Sequence, residues 1–256
     1  MSNNVWLDAL RKTSKKFQFV SKPRGQEVRE IINYNYSVDM NSPVITHVGR
    51  KMNYPFMFAE AAWILRGRND LGYITPFMMS YKNFSDDGQT LNGAYGPKVM
   101  DQISWAASEL ANDTDSRRCY VNIWRERPGP SKDIPCTTGV QFIIRDNALH
   151  MIVNMRSQDV VWGMPYDIFT FSAIAKYLQL FLYSVKKVGV SLGSLHVRAG
   201  SMHIYEHHYV DADQWLSETQ SDNSPAREYH DICNTIDHDE FLTGLEYSAN
   251  KMKEAA

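Results

Sequence analysis

Cys136 follows a proline and precedes an alternating apolar segment, within Asp133-Ile134-Pro135-Cys136-Thr137-Thr138. Proline removes a backbone donor and fixes the chain, so the thiol stands at a rigid loop-to-strand junction. A cysteine there is either an inert buried side chain or, beside positive charge, a nucleophile favoured as thiolate. Positive charge is at hand: Arg24 in a Pro-Arg-Gly turn, Arg117-Arg118 ahead of one strand-like segment, Arg156 at the end of another. Guanidinium forks match phosphate oxygens in bidentate fashion, so the set suits one small anion such as a phosphate monoester. Glu60 is the lone charge in residues 56–65. On an open helix face it would simply be solvated. In a dry cleft its pKa would rise and fit it for proton transfer. Asp159 and Asp167 each read alone as turn or helix-cap residues. His203 and His207 have i, i+4 spacing, but residues 202–205 look extended, which holds the two rings too far apart to share an ion. With no cysteine pair or HExxH pattern, no metal is expected.

These side chains need elements to position them. Residues 6–17 read as a basic amphipathic helix and 30–38 as a strand. Pro55 opens a helix over 56–65 that stops at Arg66-Gly67. Residues 86–97 are loop and 99–111 a further helix. Residues 119–124, 140–144 and 149–155 alternate as strands, the last two joined by an Arg145-Asp146-Asn147-Ala148 turn into a hairpin. Ile168, Phe171, Ala175, Leu178, Leu182 and Val185 follow the three-four spacing of a long buried helix that Asp167 opens. Residues 194–205 return as strand, and 211–216 suit a short helix. From Ser217 onward the chain is polar and weakly periodic. The expectation is one α+β domain, residues 1–256: a large mixed or antiparallel sheet with the long central helix packed on it.

Composition narrows the class. The chain has 256 residues, a net charge of -2 and three cysteines, Cys119, Cys136 and Cys233. Near-neutral charge argues against a general nucleic-acid binder. Three unclustered cysteines exclude a disulfide scaffold and suit a reducing cytoplasm. Neither an export signal nor a membrane-spanning run is visible, since Lys176 and Gln179 break the longest apolar stretch.

Taken in order, several segments resemble the thymidylate synthase family, over about residues 24–205. They are the Glu60 helix, Asn92-Gly93-Ala94-Tyr95-Gly96, Ser116-Arg117-Arg118, Pro135-Cys136, Arg156-Ser157-Gln158-Asp159, Gly163-Met164-Pro165-Tyr166-Asp167 and His203-Ile204-Tyr205. The resemblance implies a thymidylate synthase-like fold and a homodimer. Cys136 would be the nucleophile adding to carbon 6 of a pyrimidine nucleoside monophosphate. Arg24, Arg117, Arg118 and Arg156 would hold the phosphate, with Arg117 and Arg118 reaching into the partner's site. Ser157 would be a further nucleotide contact, and His203 and Tyr205 would hold the sugar hydroxyl. Glu60 and Tyr95 would move protons. Asp159, Trp162, Gly163, Tyr166 and Tyr81 would face the folate co-substrate, 5,10-methylenetetrahydrofolate.

Two departures bear on substrate and product. Members of the family that use uracil carry asparagine where this chain has Asp167. A carboxylate accepts from the exocyclic amine of cytosine, and a shared proton satisfies the ring nitrogen. Against uracil, an ionised Asp167 would face a carbonyl oxygen, costing on the order of 1–3 kcal/mol. Asp167 and Cys136-Thr137 are similar to the phage deoxycytidylate (dCMP) 5-hydroxymethyltransferases. Methyl-forming members shield the exocyclic methylene with a tryptophan-bearing segment. The corresponding residues 80–84, Ser-Tyr-Lys-Asn-Phe, lack tryptophan, so water would add to the methylene and tetrahydrofolate would be released.

Overall fold

The computed structural model describes residues 2–124 and 129–255. Its first helix, α1 (Ser2–Lys15), buries Trp6, Ala9, Leu10 and Thr13 on one stripe and packs on β2. The short β1 (Phe19–Ser21) pairs with β2 (Val28–Asp39), whose Tyr34, Tyr36 and Val38 alternate inward. Next come α2 (Tyr54–Leu65), the one-turn α3 (Leu71–Ile74) and α4 (Gly96–Asn112). Asn53 caps α2 by accepting from the Phe56 N–H, and Gly67, at φ +66, turns the chain out of it.

Among the described residues, the strands β3 (Tyr120–Asn122), β4 (Thr137–Arg145), β5 (Ala148–Met155), β6 (Gln158–Asp159) and β7 (Ser191–Tyr205) complete a seven-stranded sheet. Its order is β1-β2-β7-β5-β4-β3, with β6 also on β7. The β5–β7 and β6–β7 pairs are parallel and the rest antiparallel, a mixed sheet as expected. The β4–β5 hairpin turns on Asp146 and Asn147, both at positive φ, the two-residue geometry that Asp and Asn tolerate.

The long helix α5 (Met164–Ser184) crosses from β6 to β7 and packs on the sheet and on α2. One sheet face lies beneath the helices through Phe142, Leu149, Met151, Val153, Leu195 and Val197, all within one apolar cluster. Burying each such side chain stabilises by roughly 1.5–3 kcal/mol. On the opposite face of β2, β7 and β3, Asn35, Ser37, His196, Arg198, Tyr120 and Asn122 stay exposed.

After β7 come α6 (Tyr209–Ser217), α7 (Ser224–Ile232) and α8 (His238–Glu254). The last corrects the expectation of a weakly periodic tail. Phe241, Leu242, Leu245, Ser248 and Ala249 are buried at helical spacing, and α8 packs along α2. The narrow stripe was obscured by Asp, Glu and Lys on the other face.

Candidate active site

Sheet register gathers the candidate residues at one end. Cys136 immediately precedes β4, whose Thr137 pairs with Met155 at the end of β5. Arg156 and Ser157 follow at once. In parallel register, Asp159 on β6 lies beside His203 on β7, and Tyr205 closes β7 opposite Val28. A Cβ on Gly200 would come within 2.8 Å of the Arg156 carbonyl oxygen, so a glycine lets this turn approach β7.

Arg156 is tied to the cysteine loop. Its guanidinium donates to the carbonyls of Pro135 (3.0 Å) and Ile134 (2.9 Å), and its backbone N–H donates to the Cys136 carbonyl (2.8 Å). Burial raises the Cys136 thiol above its ordinary value, while Arg156 and, more weakly, Arg24 pull it down. The positive field expected from sequence is therefore present but outweighed, and the resting group is a thiol. Arg24 sits exposed in the turn before β2, at φ 54, a conformation sparsely used by non-glycine residues. Arg117 and Arg118 are exposed just ahead of β3, and Arg118 pairs with Glu109 at 3.0 Å.

Two carboxyls with raised pKa come from the helices, and one of them, Asp167, acts on the thiol. Glu60 is the only residue of 56–65 that is half-buried rather than buried. Burial pushes its pKa up to about 7, against a hydrogen bond donated by the Tyr81 hydroxyl. Asp167, in the first turn of α5, is likewise pushed up to about 7 by burial, with Gln158 Nε2 donating to its Oδ2 at 2.8 Å. Its charge is felt by Cys136, Glu60, Tyr81 and Tyr95. Tyr95 enters from the start of α4, its hydroxyl accepting from Thr137 Oγ1 (3.0 Å) and N–H (3.3 Å). Asp167 is thus electrostatically linked to the Cys136 thiol, the Glu60 carboxyl and the Tyr95 phenol.

The remaining candidates form two flanks. Ser157 Oγ lies 3.4 Å from His203 Nδ1, and the His203 ring meets the edge of Tyr205 with centroids 5.2 Å apart. On the other flank, burial raises Asp159, whose Oδ1 accepts from the Val161 N–H. Trp162 is half exposed and lies 5.1 Å from the Arg50 guanidinium. A Cβ on Gly163 would stand 3.0 Å from the Asp159 carbonyl and 3.3 Å from Asp167 Oδ2. Tyr166 accepts from the Asn53 N–H at 3.1 Å. Tyr81, expected beside folate, is aimed at Glu60. Among the described residues no group of three or more His, Cys, Asp or Glu could hold a metal, and no helix is long and apolar enough to cross a membrane.

Residues 4–242 match the family model described as thymidylate synthase. The chain belongs to the thymidylate synthase family. It is also similar to two curated proteins named deoxyuridylate hydroxymethyltransferase. With that of Bacillus phage SP01 it is 27% identical over 224 residues, 78% of this chain and 56% of the relative. With that of Pseudomonas phage M6 it is 32% identical over 167 residues, 61% of this chain and 46% of the relative. The chain spans about half the length of these relatives. Within this thymidylate synthase fold, three functional candidates escaped sequence reasoning: Tyr36, Arg50 and Gln158. Arg50 is buried and donates to the Val161 carbonyl at 2.8 Å, holding the loop that carries Trp162. Gln158 lay inside a quoted motif, but nothing local signalled that its amide reaches Asp167.

Proposed function

We propose that this chain transfers a one-carbon unit from 5,10-methylenetetrahydrofolate to carbon 5 of a pyrimidine deoxynucleotide, dCMP, giving 5-hydroxymethyl-dCMP and tetrahydrofolate. What supports this reading is Asp167, whose charge acts on Cys136, Glu60 and Tyr95, with Glu60 and Asp167 both pushed up to about 7 by burial. Carbon 5 of a pyrimidine is a poor nucleophile. Addition of the Cys136 sulfur to carbon 6 makes the ring enamine-like, so that carbon 5 attacks the methylene. Glu60 is poised near neutrality to give and take the protons of ring opening and of carbon 5 hydrogen loss. Loss of the carbon 5 proton and cleavage of the methylene–nitrogen bond release tetrahydrofolate and leave an exocyclic methylene; water adds to it, and expulsion of the sulfur restores the aromatic ring. Arg24 and Arg156 hold the phosphate, Ser157, His203 and Tyr205 the rest of the nucleotide. Asp159, Trp162, Gly163 and Tyr166 line the folate side, with Arg50 supporting Trp162.

Asp167 supports cytosine because its raised pKa supplies, at neutral pH, the proton that the ring nitrogen needs. A second reading, dUMP, is favoured by the names of the two phage relatives. Incubation with dCMP, CMP or dUMP and methylenetetrahydrofolate, with the nucleotide identified by mass, separates them. The expected product is 5-hydroxymethyl-dCMP without a rise in dihydrofolate absorbance. A methyl product with that rise would overturn hydroxymethylation, and faster turnover of dUMP would overturn the cytosine reading. Asp167→Asn should move preference toward dUMP, about tenfold or more.

A further inference from the structure

Asp167 is not alone at the end of its helix. Gln158, only 2% exposed, lies between it and Tyr36. The Tyr36 hydroxyl, on β2, donates to Gln158 Oε1 at 3.1 Å, and Gln158 Nε2 donates to Asp167 Oδ2 at 2.8 Å. The phenol, amide and carboxyl come from β2, β6 and α5 and are joined in one buried line. A carboxamide is directional: one end only accepts and the other only donates. A phenol that donates to the oxygen end holds the nitrogen end toward Asp167.

We propose that Tyr36 and Gln158 are positioning residues that fix which oxygen of Asp167 donates and which accepts, and so set the base preference of the site. The inference rests on Asp167 reading the base, as proposed above. An oxygen that already accepts an N–H is the poorer place for a proton, so the proton of neutral Asp167 sits on Oδ1 and Oδ2 remains an acceptor. The carboxyl edge then offers one donor and one acceptor in fixed order. Cytosine needs a donor opposite its ring nitrogen and an acceptor opposite its amine. Uracil needs the reverse order. If the amide turned over, Oδ2 would carry the proton and donate to Gln158 Oε1, and the order at the base would be lost. Burial holds Tyr36 protonated, its pKa well above 10.0, so it is a constant donor. The other titratable groups facing Asp167 are Asp159, Glu60, Tyr81, Tyr95 and Cys136. None of them offers a fixed N–H.

Equilibrium binding of dCMP and of dUMP to the whole chain tests this without reliance on the transfer reaction. Tyr36→Phe removes one oxygen and keeps the ring, and Gln158→Leu removes the amide. In both, the ratio of the two dissociation constants should collapse toward one, on the order of tenfold from wild type. In Gln158→Leu, the loss of dCMP affinity on raising pH should also move to higher pH, because the donor that lowers the Asp167 pKa is gone. A role confined to packing would move neither. A ratio unchanged in Tyr36→Phe, or a wild type that does not discriminate, would overturn the relay. Should the wild type prefer dUMP while both variants still lose that preference, the cytosine reading fails and the relay stands. Should Gln158→Leu not fold, Tyr36→Phe carries the test alone.

Discussion

Cys136 rests as a thiol because burial dominates its surroundings, and only Arg156 and Arg24 work against that. In the proposed reaction the thiolate is therefore made during the addition rather than stored. Cys136→Ala should abolish both product and exchange of tritium from carbon 5 of dCMP, since both need the carbon 6 adduct; retained exchange would remove Cys136 from its role. Glu60 and Asp167 make a second, independent claim at this scale. Unfolded, a glutamate titrates near 4.5, whereas folded Glu60 titrates at about 7. Between those values the folded chain keeps a proton that the unfolded chain has lost, so Glu60 makes stability fall as pH rises through that window. Glu60→Gln should therefore gain on wild type by about 2–3 kcal/mol between pH 4.5 and pH 8 in urea unfolding. A difference that does not change with pH would show that Glu60 is not held in a dry cleft. These residues were legible from their types and order. The balance of burial against charge was not, because burial is set by residues distant in sequence.

At the scale of elements, the strands and the long helix followed directly from periodicity. The β4–β5 hairpin, β7 and α5 lie within a few residues of their expected limits because two-residue and three-four patterns survive in single segments. The region after α6 fared differently. In α8 only a narrow apolar stripe is buried, and charged residues fill the rest of each turn. Its partner α2 is apolar on nearly every face, so α8 completes the burial of the helix that presents Glu60. Phe241 is fully buried against Tyr229 and its neighbours. Phe241→Ala should cost about 3–5 kcal/mol in urea unfolding, the usual penalty for emptying an aromatic site in a packed core. A loss below about 1 kcal/mol would mean that α8 is an appendage rather than part of the cooperative unit.

For the whole molecule, the open sheet face and the arginine pair belong to one question. Helices cover one side of the sheet, while Tyr120, Asn122, His196 and Arg198 lie exposed on the other. A sheet with an uncovered face that carries an exposed aromatic residue such as Tyr120 invites a partner. Arg117 and Arg118 stand exposed beside the edge strand, and only Arg156 and Arg24 figure among the cations acting on the thiol of their own chain. A two-fold dimer through the open face would give each cleft its second arginine pair from the other subunit. Sequence could supply this only by family resemblance, since no pattern within one chain encodes what a second copy contributes. Subunit mixing tests it directly. Cys136→Ala and the double variant Arg117→Ala/Arg118→Ala should each be inactive or nearly so alone. If the clefts are shared, a hybrid dimer has one cleft with both an intact thiol and intact arginines. Random reassortment makes half of the dimers hybrids, so activity should return to about a quarter of the wild-type level. Mixing that restores nothing, while sedimentation shows subunits exchanging, would place the arginines outside the partner's site.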